Sequence, residues 1–546
     1  MRLHQLKSVG LSRRLLGRNS LYLSRKREYA HGATAENERR DDYQPIEGLV
    51  KELSANLPHF RSPISAITVL KEPSQFYLEL VNLIRSAKSR IFIASLYVGK
   101  EETGLIEVIG KALEINESVK LTILVDYLRS TREHSERQEC SASLLQTLKA
   151  RFPERVEIRL FHTSELFGTL KRLVPRRFDE SFGLQHMKIY GADRDIIMSG
   201  ANLSSDYFTN RQDRYVKLTG QEELSEYLYE LIELTSSISY QLEAGEDEGH
   251  GKNSLKIVWP ETNASRPPID SRHASQKFKT IANQLYQDLT DRWRRKLLAH
   301  TDNQMHSPIP RVSIFPTLQI SPFKIHHETG LMIPKLIRLV HQLSNSPLSH
   351  SHMVQKTMLN WTSGYFSLLR EYKSQMLSSN AHVEIITASP QANGFFQSNG
   401  VSKYIPSAYS YLENMFRNEV RKANKQEQIV IRRWNRAGWT YHAKGLWINQ
   451  VRSQDGEERC LVTSIGSSNF GRRSAERDLE CNLFIILEPD KPEQQHLLES
   501  QSGQALSRQL VDELASLKAY VNVEDQENVH VGIFVKFFTR LIRNML

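Results

Sequence analysis

The chain carries one arrangement of polar residues twice, once in each half. The first copy reads LQHMKIYGADRDIIMSGANLS and contains His186, Lys188, Asp193 and Asn202, with Asp213 eleven residues after Asn202. A single His-x-Lys pair arises by chance in a chain of this length, so it carries little weight alone. The pair becomes informative only if the residues that follow it recur at the same spacing.

The second half supplies this recurrence. It contains YHAKGLWI, with His442 and Lys444, followed by GSSNFGRRSAERDLECN, with Ser467, Asn469 and Glu480. Asn469 precedes Glu480 by eleven residues, so both halves have a His-x-Lys strand, a turn that ends in asparagine and a carboxylate at a matching distance. The duplication predicts two similar lobes.

The duplicated residues suit phosphoryl transfer if the two copies face each other. Residues i and i+2 of a strand point to the same side, so the His and Lys of each pair face one way. One imidazole can then attack a phosphorus atom while the other acts as general acid and base. We expect the lysines and asparagines to surround the phosphoryl oxygens and Asp213 and Glu480 to hold the imidazole tautomers. This chemistry needs no metal and no cofactor.

The fold class follows from the alternation of apolar strands and helices. We expect strands over 90–99, 120–126, 156–161, 357–366 and 383–388, with helices between them. This order predicts an α/β fold with two similar lobes, each a mainly parallel sheet flanked by helices, and an active site at their junction. The expected division is a polar segment (30–57), a first lobe (58–243), a linker and connecting segment (244–310) and a second lobe (311–528).

The composition excludes several classes of protein. A chain of 546 residues with 39% apolar and 25% charged residues is long and apolar enough for two or more cores. Its three cysteines, Cys140, Cys460 and Cys481, are too few and too scattered for a disulfide framework or a structural zinc site. We find no run of about 18 apolar residues, so we expect any membrane contact to be peripheral.

The N-terminal segment differs from the rest of the chain in charge. Residues 1–29 carry seven of the ten net positive charges and are rich in Arg, Ser and Leu. This pattern predicts a mitochondrial presequence that is removed near Ala30. The alternative is a disordered basic tail that binds anionic surfaces.

The two copies resemble the His-x-Lys-x4-Asp motifs of the phospholipase D superfamily. His186, Lys188 and Asp193 match the first motif fully, and His442 and Lys444 match the core of the second. Together with the segments ASPQANGFF, GWTYHAKGLW and GSSNFGRRS, they make the chain similar to the mitochondrial phosphatidylglycerophosphate synthases, a family within that superfamily.

Two positions depart from the family pattern. Asn449 stands where the second motif has its aspartate, and Gly200 stands where a serine is usual before Asn202. We expect the motif aspartate to have a structural or orienting part, so that its loss from one half is tolerated. A hydroxyl contact at position 200 should be shifted or absent.

The resemblance implies a reaction and its participants. The donor is CDP-diacylglycerol, the acceptor is sn-glycerol 3-phosphate, and the intermediate is a phosphohistidine at the junction of the lobes. We expect His186 to be the nucleophile and His442 to be the general acid and base. The implied location is the matrix side of the mitochondrial inner membrane, with the protein bound peripherally.

Residues that touch the substrates are less clearly marked. Ser95 and Tyr97 lie at the end of an expected strand, where they could contact the nucleotide, or they could belong to a buried strand. Basic residues that suit a dianionic acceptor, or are solvated loop charges, are Arg129, Arg132, Lys171, Arg172, Arg176 and Arg177.

The C-terminal residues 529–546 predict a basic amphipathic helix. Lys536, Arg540 and Arg543 lie on one side at helical spacing, and aromatic and aliphatic residues lie on the other. Such a helix could lie on an anionic membrane surface, where the lipid substrate resides, or pack against the second lobe.

Two other functions compete with this interpretation. A phospholipase D-type phosphodiesterase, acting on lipid or nucleic acid, would use the same intermediate with another acceptor. A nuclease should have a basic groove lined with aromatic residues, whereas the body of this chain is nearly neutral, so we expect no nucleic-acid partner. A non-catalytic lipid-binding scaffold is disfavoured because both His-x-Lys pairs are intact.

Overall fold

The chain was analysed as a computed structural model. It describes residues 45–132, 139–245, 255–304, 311–345, 354–452, 456–487, 501–521 and 529–543. The predicted presequence (residues 1–29) and the first part of the predicted polar segment (30–57) lie outside the described residues.

Two large sheets organise the described chain, and their strands are numbered along the sequence. The first sheet has, in spatial order, β11 (Ile257–Val258), β10 (Tyr240–Leu242), β5 (Val156–Phe161), β4 (Lys120–Asp126), β3 (Arg90–Ala94), β6 (Ile189–Ala192), β7 (Asp195–Ser199), β9 (Tyr215–Leu218) and β2 (Ile67–Leu70). The second has β1 (Phe60–Pro63), β12 (Arg311–Ile320), β20 (Glu480–Leu487), β19 (Glu458–Gly466), β18 (Gly445–Arg452), β14 (Val354–Ser363), β15 (His382–Ala388) and β16 (Ile429–Trp434), with β13 (Ile325–His326) paired to β12. A two-stranded sheet of β8 (Arg211–Gln212) and β17 (Thr440–Tyr441) joins the lobes.

The sheets are mixed, which corrects the prediction of mainly parallel sheets. Only β3, β4 and β5 run parallel in the first sheet, and only β14, β15 and β16 in the second. The other strand pairs of both sheets are antiparallel. The expected strands of each half are the parallel ones, whereas strands such as β6 and β7 follow each other through a two-residue turn, which only an antiparallel pair allows.

Helices cover the sheets. They are α1 (45–54), α2 (Pro73–Arg85), α3 (Thr103–Ile115), α4 (Tyr127–Ser130), α5 (Ser141–Arg151), α6 (Gly168–Leu173), α7 (Arg176–Asp179), α8 (Ser205–Thr209), α9 (Glu222–Ser236), α10 (Arg272–Gln304), α11 (Ile333–Ser344), α12 (Arg370–Ser378), α13 (Ile405–Lys422), α14 (Arg472–Glu476), α15 (Gln501–Lys518) and α16 (Ile533–Ile542). Single turns of 3-10 helix lie at Ile64–Ala66, Glu180–Phe182, Ser321–Phe323 and Gly400–Tyr404, and a π-helix lies at Glu328–Met332.

The predicted linker (244–310) contains the longest helix, α10, with 33 residues. Its apolar residues recur every three or four positions and are buried, which is the pattern of an amphipathic helix. They are Phe278, Ala282, Tyr286, Leu289, Trp293 and Leu297. These side chains belong to the largest buried cluster, which draws residues from both sheets, so α10 is part of the core between the lobes.

The start of the described chain also belongs to the second lobe. Helix α1 buries Ile46, Leu49 and Leu53 in the core of the second lobe, and β1 pairs with β12. The end of the predicted polar segment (30–57) and the start of the predicted first lobe (58–243) therefore lie against the second sheet. Apolar residues at helical spacing within the polar segment explain this placement.

A buried ion pair holds the lobes together beside the β8–β17 sheet. Arg214, between β8 and β9, donates to both carboxylate oxygens of Glu513 in α15, each at 2.8 Å, and to the Ser464 carbonyl at 2.5 Å. Its guanidinium lies 3.7 Å from the ring centre of Trp447. Because both charges are buried and paired, Arg214 fixes the neighbouring residues of the first lobe against the second.

None of the described helices is both long enough and apolar enough to cross a membrane.

Candidate active site

The two His-x-Lys pairs lie at the junction of the lobes, as predicted from the duplication. His186 precedes β6, and His442 lies between β17 and β18. The His186 amide donates to the Leu479 carbonyl at 3.0 Å, and the His442 amide donates to the Gln212 carbonyl at 2.8 Å. Each motif is thereby anchored on the other lobe. Its backbone partner, Leu479 or Gln212, directly precedes that lobe's carboxylate, Glu480 or Asp213.

Each imidazole is held by the carboxylate of the opposite lobe. Nδ1 of His186 lies 3.0 Å from both oxygens of Glu480, and Nδ1 of His442 lies 2.6 Å from Oδ2 of Asp213. All four side chains are buried. The two carboxylates that sequence spacing singled out therefore contact the histidines, and they do so across the junction.

The two lysines lie behind the histidines. Lys188 donates to the carbonyl of His186 at 2.7 Å, and Lys444 donates to the carbonyl of His442 at 2.7 Å and to Asp213 at 3.1 Å. Burial lowers the pKa of both lysines, and neighbouring carboxylates oppose that shift. In this arrangement the lysines support the motif backbone and place positive charge beneath the imidazoles.

A hydrogen-bond chain runs through His442. The Asn202 amide donates to the Tyr207 hydroxyl at 3.0 Å, and that hydroxyl lies 3.3 Å from Nε2 of His442. Nδ1 of His442 lies 2.6 Å from Oδ2 of Asp213 and 2.7 Å from Nζ of Lys444. Because an ionised carboxylate can only accept, Nδ1 carries the proton that bonds Asp213, and Nε2 accepts the hydrogen bond from Tyr207. No residue that the structure describes is hydrogen-bonded to Nε2 of His186.

The asparagine turns of the two lobes are not identical. In the second lobe, the Ser467 hydroxyl donates to Glu480. In the first lobe, Gly200 holds the equivalent position, and a Cβ there would lie 2.5 Å from Nζ of Lys444. Position 200 therefore has no hydroxyl, as expected. The absence of a side chain there makes room for the Lys444 ammonium, which lies 3.3 Å from the Gly200 carbonyl.

The electrostatics of the site define the protonation of both pairs. Burial lowers the pKa of His186, and burial together with Lys444 lowers the pKa of His442 to about 3. Burial favours neutral carboxyls, but His186 and Lys188 hold the pKa of Glu480 below its usual value, and Lys444 and His442 do the same for Asp213. At neutral pH the imidazoles are neutral and the carboxylates ionised.

A cavity of about 1430 Å³ opens in front of the histidines. His186, His442, Asn202 and Asn469 line it, and the Oδ1 atoms of both asparagines are buried without a hydrogen-bond partner among the described residues. Both lobes contribute to this one space.

Only some of the predicted substrate-binding residues that the structure describes line the cavity. Tyr97 and Arg129 line the cavity, with the guanidinium 4.4 Å from the ring centre of Tyr97. Ser95 is fully buried behind them and donates to the Tyr97 carbonyl at 3.0 Å, so it does not reach the cavity. The side chains of Arg176 and Arg177 lie outside the described residues.

Two arginines that the sequence analysis missed also line the cavity. Arg211 lies on the side of His442, and Arg473 lies on the side of His186, where it donates to Asp478 at 3.0 Å. Both arginines are connected to the duplicated carboxylates. Arg211 is two residues before Asp213, and the partner of Arg473, Asp478, is two residues before Glu480. A comparison of those equivalent positions would have shown the signal.

The motif aspartate lies away from the cavity. Asp193 occupies the β6–β7 turn with a left-handed backbone (φ 50°) and accepts hydrogen bonds from the amides of Lys88, Ser89 and Arg90 at 2.7–3.1 Å. It thereby holds the start of β3. Asn449, at the corresponding position of the second motif, lies within β18 and not in a turn, because β18 is longer than β6. Its side chain donates to Glu458 at 2.6 Å and does not hold a neighbouring strand through backbone amides as Asp193 does.

Three potential metal ligands come together at His186. Its ring, Asp478 and Glu480 place ligand atoms within 4.8 Å of one another. The Asp478 carboxylate already accepts the Leu184 amide at 2.9 Å and the Arg473 guanidinium, and Glu480 is bonded to His186. These protein donors satisfy the carboxylates without an ion.

The whole architecture is similar to that of a known phospholipid enzyme. Phosphatidylserine synthase from Haemophilus influenzae Rd KW20 superposes with a TM-score of 0.60, covering 92% of this chain and 99% of that one at 19% identity. At this identity the likeness concerns the fold alone. It confirms the predicted α/β fold.

Sequence relatives define the family. Proteins named CDP-diacylglycerol–glycerol-3-phosphate 3-phosphatidyltransferase are 38% identical in Saccharomyces pastorianus and 35% identical in Schizosaccharomyces pombe, covering 91% and 92% of this chain and 92% and 100% of theirs. The human relative, whose name adds "mitochondrial", is 33% identical over 92% of this chain and 85% of its own. No protein-family model matches the chain.

The chain belongs to the CDP-diacylglycerol–glycerol-3-phosphate 3-phosphatidyltransferase family. The predicted membership in a family of phospholipid-synthesising transferases is therefore confirmed.

The protonation of His442 predicts how stability depends on pH. Its pKa of about 3 in the folded chain lies below the value of 6.5 for a free histidine, so unfolding takes up a proton between these two pH values. The free energy of unfolding should fall as the pH drops from about 6.5 towards 3. His442→Asn should weaken this dependence, as measured by denaturant unfolding across the interval.

The two proteins are compared through the slope of unfolding free energy against pH, so a constant difference in stability between them does not affect the result. Equal slopes for the wild type and His442→Asn would show that His442 is not held neutral in the folded chain.

Proposed function

We propose that this chain transfers the phosphatidyl group of CDP-diacylglycerol to sn-glycerol 3-phosphate, giving phosphatidylglycerophosphate and CMP. The observation that carries the proposal is the pair of imidazoles at one cavity, each held through Nδ1 by a carboxylate of the other lobe. Because the carboxylates hold Nδ1 of each ring, chemistry on one phosphate falls to the Nε2 atoms, of which that of His442 is bonded to Tyr207. The names of the sequence relatives supply the donor and the acceptor.

His186 is the nucleophile in the first step. Its Nε2 attacks the phosphatidyl phosphorus, the P–N bond forms, and the bond to CMP breaks with its electron pair leaving on the CMP oxygen. Glu480 stabilises the charge that develops on the ring, because it accepts the Nδ1 proton through two oxygens. His442 is less suited to attack since Tyr207 occupies its Nε2.

His442 serves as general base in the second step. Its low pKa keeps it unprotonated, so Nε2 can take the proton of the acceptor hydroxyl once Tyr207 yields. The acceptor oxygen then bonds to phosphorus, and the electron pair of the P–N bond returns to His186. In the first step Nε2 of His442 carries no proton at neutral pH, so CMP leaves without an acid, which is feasible because a phosphate monoester has a second pKa of about 6. The proton that His442 takes from the acceptor in the second step is then released to solvent.

The remaining polar residues support these steps. Lys188 and Lys444 contribute positive potential from behind the histidines, and the side-chain NH2 groups of Asn202 and Asn469 are the donors that can reach the phosphoryl oxygens from the cavity wall. Asp193 has a structural part at the β6–β7 turn, and Ser467 orients Glu480. The reaction as written uses no cofactor.

The location follows from the relatives and the N-terminal sequence. The animal relatives carry "mitochondrial" in their names, which supports a mitochondrial protein. We place the enzyme on the matrix side of the inner membrane, because residues 1–29 have the composition of a presequence.

Helix α16 gives the enzyme a surface for the membrane that holds its lipid substrate. One side packs inward, with Thr539 buried and Phe538 and Ile542 lining the cavity. The other side exposes Phe537 (68% exposed) and Leu541 (75% exposed), as well as Ile533, Phe534, Lys536 and Arg540. The helix packs against the second lobe, and its outer side suits the interface of an anionic bilayer.

Other exposed apolar residues border the same cavity. Phe178 and Val401 line it and are 43% and 46% exposed, and Leu173 nearby in α6 is 78% exposed. Exposed apolar side chains grouped at a cavity mouth mark an interaction surface. With α16 they would let a lipid enter the cavity while its acyl chains stay in the bilayer.

The transfer reaction is tested with the full chain, CDP-diacylglycerol in mixed micelles and radiolabelled glycerol 3-phosphate. Label should enter the lipid phase only when CDP-diacylglycerol is present. His186→Ala and His442→Ala should each lose activity by about a hundredfold or more, whereas His273→Ala at the surface should not. With donor labelled in the phosphatidyl phosphate, His442→Ala should retain acid-labile label on the protein and His186→Ala should not.

CMP and phosphatidic acid without labelled lipid would instead identify a hydrolase. Full activity in either histidine variant would contradict the two-histidine mechanism, and label on His186→Ala alone would reverse the two roles.

Membrane docking is tested with Phe537→Ser combined with Leu541→Ser. The double variant should bind vesicles of anionic phospholipid at least about tenfold more weakly in sedimentation, because each side chain loses the free energy of burial in the bilayer. Its activity in detergent micelles should persist. Ile115→Ser, which alters an 86% exposed residue of α3, is the matched control. Unchanged vesicle binding by the double variant would rule out α16 as the docking surface.

A further inference from the structure

Resting on the proposed function, we propose that Arg211 binds the phosphate group of the acceptor, in the half of the cavity next to His442. The substrate class is a small phosphomonoester that carries a hydroxyl group, such as glycerol 3-phosphate. Neither the motif pattern nor the names of the relatives assign this site.

The backbone places Arg211 beside the general base. Arg211 and Gln212 form β8, which pairs with Thr440 and Tyr441 of β17, and His442 directly follows β17. Arg211 precedes Asp213 by two residues, so along this extended segment both side chains project to the side of the histidine. The segment 211–213 therefore supplies both the carboxylate that holds the imidazole and a cation beside it.

The side-chain contacts orient the guanidinium towards the cavity. Nε of Arg211 donates to the Thr440 hydroxyl at 2.9 Å, and the guanidinium carbon lies 4.7 Å from the ring centre of Tyr207. Tyr207 in turn bonds His442, so its hydroxyl proton is already used. The guanidinium of Arg211 and the hydroxyl of Tyr365, which both border the space at Gly394, are the donors that an anion would meet next to the base.

The space in front of this group is kept open by a glycine. A Cβ at Gly394 would lie 3.3 Å from the Tyr365 hydroxyl and 3.7 Å from a terminal nitrogen of Arg211. Gly394, Tyr365 and Arg211 all line the cavity. A side chain at position 394 would occupy the volume that a phosphate needs.

The second lobe shows why Arg211, and not Arg473, suits the acceptor. At equivalent positions the two lobes carry ion pairs of reversed order, Asp206 with Arg211 and Arg473 with Asp478. Arg473 donates to buried Asp478 and to the Glu180 carbonyl at 3.0 Å, so much of its hydrogen-bonding capacity is committed. The partner of Arg211, Asp206, has a side chain that is 61% exposed and can turn into solvent.

The chemistry of the second step requires such a site. The acceptor hydroxyl has to reach both Nε2 of His442 and the phosphorus on His186, and its own phosphate lies a few bonds away in the same half of the cavity. A guanidinium offers paired N–H donors that match a phosphate dianion. Because water and glycerol lack this group, the site selects the acceptor as well as positioning it.

The test separates the two half-reactions. Arg211→Gln should raise the KM for glycerol 3-phosphate by about tenfold to a hundredfold, the range for loss of a charge-assisted hydrogen bond. The exchange of labelled CMP into CDP-diacylglycerol, which does not involve the acceptor, should change little. The preference for glycerol 3-phosphate over glycerol should fall, and Arg211→Lys should restore part of it. Arg292→Gln, on an exposed face of α10, is the control.

Gly394→Ala provides an independent variant if Arg211→Gln does not fold. It should raise the KM for glycerol 3-phosphate while leaving CMP exchange in place. An unchanged KM in both folded variants, or a parallel loss of CMP exchange and transfer, would overturn the inference. Failure of the proposed function is distinguishable, because the wild type would then show no transfer at all.

Discussion

The structure depends on a reciprocal contact between the lobes. His186 of the first lobe is bonded to Glu480 of the second, and His442 of the second is bonded to Asp213 of the first. Neither lobe contains a complete histidine–carboxylate pair. The buried Arg214–Glu513 ion pair and the β8–β17 sheet hold the junction where these contacts form. The reactive unit is therefore the closed pair of lobes, and any change that separates them removes both oriented imidazoles at once.

The duplicated frame has diverged where the two half-reactions differ. Ser467 bonds Glu480 in one lobe, whereas Gly200 in the other makes room for Lys444 beside Asp213. Tyr207 occupies Nε2 of His442, so the two imidazoles are not equivalent although their carboxylates are. Two equivalent His-x-Lys segments can thus supply a nucleophile and a base, because the residues around them give the two Nε2 atoms different hydrogen-bond partners.

Much of the site could be predicted from the chain alone. The eleven-residue spacing from Asn202 to Asp213 and from Asn469 to Glu480 identified both carboxylates, and the alternation of strands and helices identified the α/β class. The exchange of carboxylates between the lobes could not be predicted, because linear spacing carries no information on which lobe a side chain faces. Arg211 was missed because the comparison of the two halves ended at the carboxylates and did not extend to the residues two positions before them. Its contacts with Thr440 and Tyr207 then distinguish it in the structure.

Helix α10 and the antiparallel strands of the two sheets were harder to predict from the sequence. Charged residues between Phe278, Tyr286 and Trp293 lower the mean hydropathy of α10, although the helical period is present. Antiparallel strands such as β7 are as buried as parallel ones, so hydropathy did not separate the two arrangements. Sheet direction is decided by the connections and by pairing across the lobes, which lie outside any local window.

The central claim is that phosphatidyl transfer proceeds through a covalent bond to one histidine. The most direct measurement is the stereochemical course at phosphorus, followed with CDP-diacylglycerol that carries a chiral phosphorothioate at the phosphatidyl position. Two successive in-line displacements, one by His186 and one by the acceptor, give net retention of configuration. Inversion would mean that the acceptor attacks the donor directly, and it would contradict the account.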